Sequence, residues 1–192
     1  MIEATALLLN WKREENLKKV ISSIRNQSAD VKIWLWNNNP NGVKYDVDLQ
    51  IDSGINFKCW SRWLLGSLVD TSYIFTLDDD LMIAKTSVIQ ECIGYMKNKP
   101  VDTIIGYTGV ILNKENDYWK SKHIITPNTT DTKVDVVKGR FMFMKSSVLN
   151  NVSLENEPTC EDIKVSSYSS NKILPAFLKN CFTDLEEGEH AL

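Results

Sequence analysis

The sequence predicts a single α/β domain on a mixed, mainly parallel sheet with helices on both faces, and three observations carry that expectation. Short apolar runs alternate with stretches of helical period, the order produced by successive βαβ units with right-handed crossovers. The first run, Ala4 to Leu9, is apolar almost throughout, as suits a strand buried on both faces. The length of 192 residues, with 43% hydrophobic and 24% charged content, matches one soluble domain able to bury a core.

The elements follow in order. After the first strand, Asn10-Trp11-Lys12-Arg13 forms a loop, and Leu17, Val20, Ile21 and Ile24 then recur at helical spacing. Val31, Ile33 and Leu35 alternate with Lys32, Trp34 and Trp36, giving a second strand that Asn37-Asn38-Asn39-Pro40-Asn41-Gly42 ends sharply. Phe57 to Val69 carries Trp60, Trp63, Leu64 and Leu68 at helix-like spacing and leads to the apolar run Tyr73 to Leu77. A helix is expected from about Ser87 to Lys97, a strand over Ile104 to Leu112, and strand character again over Val134 to Met144 around Gly139. Between these last two, Asn113 to Lys133 is polar and irregular. A connection that long in a compact domain implies a lid or binding element, which would lay Tyr118, Trp119 and His123 over a ligand. No internal repeat or low-complexity segment interrupts the pattern.

Composition excludes several functions. A net charge of -3 and pI near 5.5, with scattered basic residues, argue against nucleic acid as a partner, because phosphate backbones are gripped by clustered Lys and Arg. Cys59, Cys92, Cys160 and Cys181 show no Cys-x-x-Cys spacing and His123 and His190 are isolated, so free thiols are expected rather than a zinc site. No apolar run approaches a membrane span and the amino terminus lacks a secretory pattern, which makes a cytoplasmic location the expectation. The chain is compatible with being one domain of a longer protein.

The most informative residues are Asp78, Asp79 and Asp80, directly after the run Tyr73 to Leu77. Adjacent carboxylates repel and raise one another's pKa, so the cluster is costly unless water screens it or a cation neutralises it. Asp is also a favoured turn residue, and a solvated turn is the alternative. Position favours the cation, since ligands of open α/β sheets collect outside the carboxyl ends of strands. Strand alternation would point Asp78 and Asp80 one way, toward a divalent metal and its diphosphate, and Asp79 elsewhere.

Taken together, Leu8-Leu9-Asn10-Trp11-Lys12-Arg13, Trp36-Asn37-Asn38, Ser61-Arg62, Asp78-Asp79-Asp80-Leu81 and Cys160-Glu161-Asp162-Ile163 resemble, in that order, the GT-A fold (Rossmann-like) glycosyltransferases, the exostosin-like enzymes in particular. A further likeness, to small glycosyltransferase modules that build viral capsid glycans, would imply a UDP-linked sugar such as rhamnose as donor. The resemblance implies a nucleotide-sugar donor, with a UDP-sugar expected, a glycan hydroxyl as acceptor, Mn2+ or Mg2+ as cofactor, and a leaning toward retention. It divides the chain at about residue 82 into a nucleotide-binding half and an acceptor and catalytic half.

On that resemblance Asp80 is the principal metal ligand, with Asp78 assisting through water or the donor ribose. Arg13, Asn37, Asn38, Arg62, Asp78 and Asp79 hold the donor nucleotide, Asp162 with Glu161 is catalytic, and Gly139 with Arg140 meets the acceptor sugar. Each residue also has a structural reading. Arg13 suits a surface pair with Glu14 or Glu15, the asparagines suit a turn, and Arg62 suits a pair with one of the metal-site aspartates. Glu161 and Asp162 suit the first turn of a helix, and Gly139 suits a strand bulge. Trp34, Trp36, Trp60, Trp63, Phe141 and Phe143 read chiefly as core, with sugar stacking as their other use.

Two other functions compete. A haloacid-dehalogenase-like phosphotransferase also places aspartates after an apolar strand, but on its opening strand, whereas two strand-helix units come first here. A non-catalytic, calcium-dependent carbohydrate-binding module would use the aspartates and tryptophans, but its all-β pattern is absent.

Overall fold

The computed structural model describes residues 2–39, 43–127, 129–153 and 160–186. Pro40, Asn41 and Gly42 of the expected strand break lie outside the described residues, as do Glu187, Gly188 and Glu189 of the acidic tail, and His190.

Strand β1 (Ala4–Asn10) feeds α1 (Glu14–Arg25), which buries Leu17, Val20, Ile21 and Ile24, the face read from their spacing. Glu14 and Glu15 in its first turn and Arg25 in its last complement the helix dipole. Next, β2 (Val31–Asn37) returns parallel to β1, and β3 (Leu49–Asp52) lies parallel beyond it. A 3-10 turn (Lys58–Trp60) runs into α2 (Ser61–Gly66), and β4 (Tyr73–Leu77), buried at every position, pairs in parallel with the other side of β1. After β5 (Leu81–Ile83) and α3 (Val88–Met96) come β6 (Thr103–Gly106), β7 (Thr108–Ile111), β8 (Lys122–Ile125), β9 (Thr132–Lys133), β10 (Val136–Val137) and β11 (Met142–Lys145). The chain finishes with α4 (Glu161–Ser167), β12 (Asn171–Leu174) and β13 (Phe182–Asp184).

The main sheet has the order β3-β2-β1-β4-β11-β6-β12-β9. It is parallel from β3 through β4 and between β6 and β12, and antiparallel where β11 and β9 join. Alternation along β1 sends Ala4, Ala6 and Leu8 to a core shared with α1 and α3, while Leu7 joins Trp60, Trp63, Ile74, Met142 and Val165 on the opposite face. The α/β class with helices on both faces is therefore as the sequence predicts.

Four stretches differ from expectation. The run Ile104 to Leu112 is two strands, β6 in the main sheet and β7 in a small sheet of order β10-β7-β8. Val134 to Met144 likewise breaks at Gly139 and Arg140 into β10 and β11. Both halves of each run are buried, so one continuous apolar pattern conceals a change of sheet. The helix expected over Phe57 to Val69 is shorter, and Leu64 and Leu68 stay exposed. The polar stretch Asn113 to Lys133 is not wholly irregular, since β8 pairs with β7 across it.

Candidate functional site

Because β2, β1 and β4 are parallel, their carboxyl ends open on one edge of the sheet, bringing Asn37, Asn10 and Asp78 together. Strand alternation stops at Leu77. The amide of Leu81 donates to the Asp78 carbonyl at 3.2 Å, so the three aspartates occupy a tight turn. This corrects the expected geometry. Asp78 Oδ1 accepts from Arg62 Nη1 at 2.7 Å, whereas Asp79 Oδ1 lies 2.8 Å and Asp80 Oδ2 3.9 Å from Arg13 Nη1. Asp79 and Asp80 thus turn toward one cation and Asp78 toward another, because a turn does not keep the two-residue period of a strand.

Arginines surround the turn. Arg13, in the loop before α1, pairs with Asp79 rather than with Glu14 or Glu15. Arg62 is only 2% exposed, and besides Asp78 it donates to the Gly139 carbonyl at 3.3 Å and approaches Glu161 Oε1 at 3.8 Å. Burial opposes its charge, and Asp78, Cys59 and Glu161 more than offset that, so its pKa is raised. Burial likewise pushes Asp79 up to about 6; Arg13 pulls it back, and Asp78 and Asp80 add to the rise. Arg140, expected at the acceptor, instead donates from Nε to Asp80 Oδ1 at 3.0 Å and pairs through Nη2 with Asp184 at 2.6 Å. Its place at the start of the run into β11, beside the aspartate turn, brings it there: the Asp78 amide donates to the Arg140 carbonyl at 3.1 Å.

Glu161 and Asp162 open α4 from Cys160, whose left-handed φ of 70° turns the chain toward Gly139. Asp162 accepts from the Gly139 amide at 3.3 Å and from Ile163 at 2.8 Å. Burial raises the pKa of both acids. Arg62 opposes that at Glu161, and the two amides oppose it at Asp162. A Cβ on Gly139 would stand 3.3 Å from Glu161 Oε1 and 3.5 Å from Asp162 Cβ, so the bare glycine lets both acids pack closely against this turn. Gly139 sits in a turn between strands rather than in a bulge.

The asparagines are engaged by the protein itself. Asn37 Oδ1 accepts from Asn10 Nδ2 at 2.8 Å while its Nδ2 donates to Asp52 at 2.9 Å. Asn38 Oδ1 accepts from the Phe57 amide at 3.0 Å and its Nδ2 donates to the Lys58 carbonyl at 3.4 Å. These contacts tie strand ends to the following loops, so the side-chain amides expected to read a base are occupied. Trp63, Phe141 and Phe143 are fully buried and Trp60 nearly so; these are core residues.

Three participants escaped the sequence reading. Thr76 donates its hydroxyl to the Gly139 carbonyl at 2.6 Å, and one polar residue inside an apolar strand was the available signal. Asn10 retains a buried Oδ1 without a partner among the described residues. Asp184, which takes Arg140 Nη2, belongs to no motif and carried no signal in the sequence.

Among the described residues no three His, Cys, Asp or Glu side chains form a ready-made metal cage. A magnesium or manganese ion held with a diphosphate needs only one or two protein carboxylates, the remaining ligands being phosphate oxygens and water. Asp80 and Asp78 supply hard oxygens with side chains 18% and 33% exposed at the open edge, and so they fit.

Solved structures repeat this architecture at low identity. The S. aureus TarS 1–349 complex with UDP-GlcNAc superimposes with a TM-score of 0.69 at 11% identity, over 98% of this chain and 60% of that one. The TarS complex with UDP gives 0.65 at 9%, over 91% and 58%. The mannosyltransferase PcManGT of Pyrobaculum calidifontis, in complex with GDP-Man and Mn2+, gives 0.59 at 7%, over 93% and 58%. The chain thus spans about three fifths of those proteins, and the likeness is one of fold. No curated protein matches it by sequence. The model of the Glycosyl transferase family 64 domain, however, matches residues 4–178, a span that runs from β1 past β12 and takes in both the aspartate turn and the acid pair. By that match the chain belongs to glycosyl transferase family 64.

Proposed function

We propose that this glycosyltransferase moves a sugar from a UDP-linked donor to a glycan hydroxyl, with Mn2+ or Mg2+ held at Asp80 and assisted by Asp78. The observation that carries the reading is a separation of charge. An aspartate turn ringed by three arginines stands at the carboxyl edge of the sheet, and a distinct acid pair stands behind Gly139. The ligands named for the neighbouring folds, UDP-GlcNAc in one and GDP-Man with Mn2+ in another, support the same choice of donor and metal.

When bound, a divalent ion neutralises the diphosphate as it departs. The chain does the rest. Arg13 and Arg140, anchored by carboxylates, offer a fixed positive field at the phosphates, and Arg62 extends it toward the acids. Asp162, positioned by the Gly139 and Ile163 amides, takes the proton of the acceptor hydroxyl or, in a retaining course, faces the positive charge developing at the anomeric carbon. Glu161 holds Arg62 in register with that carboxylate. Residues up to about 82 serve the donor and those after it the acceptor and the chemistry.

A thermal-shift panel of UDP, GDP and their sugars, with and without Mn2+, tests the proposal, because a ligand that binds only the native state raises Tm. Metal-dependent stabilisation by uridine nucleotides is expected, and Asp80→Ala should lose at least about tenfold in metal-dependent UDP affinity by calorimetry while staying folded. Unchanged affinity in that variant would remove Asp80 from the site.

A further inference from the structure

The proposed function leaves out the ring cluster on the turn between β7 and β8, where the sequence predicts a lid or binding element over a ligand. Trp119 is 83% exposed there, yet its backbone is fixed. Asp117 Oδ1 accepts from the amides of Trp119 at 3.0 Å and Lys120 at 3.2 Å, and the Asp117 amide donates to Asn113 Oδ1 at 2.9 Å. The Ser121 hydroxyl closes the turn, donating to the Asp117 carbonyl at 2.5 Å and accepting from the Asn113 amide at 2.9 Å. Tyr118 meets the indole edge-on, with centroids 5.3 Å apart and planes at 89°, and meets His123 at 5.1 Å and 83°. An edge-on neighbour braces the indole and leaves its flat face open to solvent.

The turn borders the place of chemistry. β7 pairs with β10, whose Val137 amide donates to Ser166 of α4 at 3.1 Å, and two residues later Gly139 donates to Asp162. The half-buried Tyr118 phenol lies in the field of Asp162 and Glu161; burial first, and then these charges, push its pKa up to about 12. It therefore stays protonated at neutral pH and keeps a donor beside the carboxylates.

We infer that Trp119 is the stacking platform of an acceptor subsite that takes a pyranose ring, laying the C–H face of the ring on the indole while its hydroxyls reach toward Tyr118 and Asp162. The inference rests on the transferase reading and names the acceptor class. A pyranose suits a lone, rigid, flat apolar surface with a polar border, because one face of the ring is mostly C–H and its rim is hydroxyl. A protein partner suits it poorly. Lys114, Glu115, Lys120 and Lys122 are exposed around the same turn, and charged residues are depleted at interface centres.

Saturation-transfer NMR with methyl pyranosides of gluco, galacto, manno, xylo and rhamno configuration provides the test, on the whole chain with Mn2+ and UDP present. At least one glycoside should receive saturation mainly on one face; Trp119→Ala should abolish the transfer, and Trp119→Phe should keep most of it. UDP affinity should stay within about twofold of wild type in both variants, since the indole stands apart from the aspartate turn. If UDP binds but no glycoside does, or if Trp119→Ala changes nothing, the platform is refuted while the donor reading stands. If UDP itself fails to bind, the transferase reading fails first. A wild-type dimer that Trp119→Ala dissociates in sedimentation would reassign the indole to self-association and overturn the inference.

Discussion

At the scale of single residues, the site rests on Arg62, a guanidinium held almost out of water by Asp78, Glu161 and the Gly139 carbonyl. A buried cation of this kind links two groups of acids that would otherwise repel, which is why the donor edge and the acid pair stand in fixed relation. The division of labour it enforces makes Asp162 separable from binding. Asp162→Asn should leave UDP affinity near wild type and lower transfer by about 10²–10⁴, the range for loss of a general base. In the role proposed for it Asp162 works ionised, and burial raises its pKa, so transfer should fall on acidification at a pH above the ordinary Asp value of about 3.9. A pH–rate profile with its acid limb at or below that value, or undiminished turnover in the variant, would remove Asp162 from the chemistry. These residues were legible in the sequence only as types in order. Which aspartate meets which arginine was not, because a turn replaced the strand on which alternation could be counted.

Among the elements, β13 has the least obvious role. It pairs antiparallel with β5 immediately after the aspartate turn, the Leu185 amide donates to the Asp80 carbonyl at 2.8 Å, and Asp184 takes one end of Arg140. Its anchor is Phe182, whose ring packs 4.7 Å from Phe141 and 4.6 Å from Tyr107 between centroids. A strand of three residues has little hydrogen bonding of its own, so that aromatic seat decides whether the aspartate turn is held from behind. Phe182→Ala should cost about 3–5 kcal/mol in urea unfolding and, in the folded fraction, weaken metal-dependent UDP binding as well. A stability loss with unaltered affinity would show that β13 supports the core alone. Long periodic elements such as α1 and β1 could be read directly, since four buried positions in one helix or a run of six residues with five apolar leave few alternatives. β13 could not, because three residues, one of them apolar, carry no period.

For the molecule as a whole, a mainly parallel sheet containing β1, β2 and β4 was accessible from alternating strands and helices, whereas β3 and the insertion of β11 between β4 and β6 were not. That insertion brings Gly139 and Arg140 back to the aspartate turn, and it depends on long-range pairing that no local window contains. Its consequence is a fold that gathers carboxylates at one edge and partly buries them, which should appear in the pH dependence of stability. Asp79 is raised to about 6, and Glu161 and Asp162 are raised too, with burial the leading cause in each. A carboxyl raised in the native state binds more protons there than when unfolded, so its contribution is most favourable below the unfolded pKa and is lost as pH rises through the folded value. Asp52, lowered to about 2 by Lys44, Gln50 and Asn37, together with the lowered Asp70 and Asp102, works the other way. Their contribution is present above the unfolded value and disappears only as pH falls below about 4. The two windows meet near the ordinary carboxylate value, so without metal the protein should be most stable near about pH 4 and lose Tm between about pH 4 and 6. Manganese with UDP, bound as proposed, would balance the ionised aspartates and favour the native state, so calorimetric scans with both present should flatten or reverse that decline. A metal-free Tm that climbs steadily toward pH 7 would mean that the carboxylate edge is not a stored charge cost, and the need for a cation there would lose its thermodynamic basis.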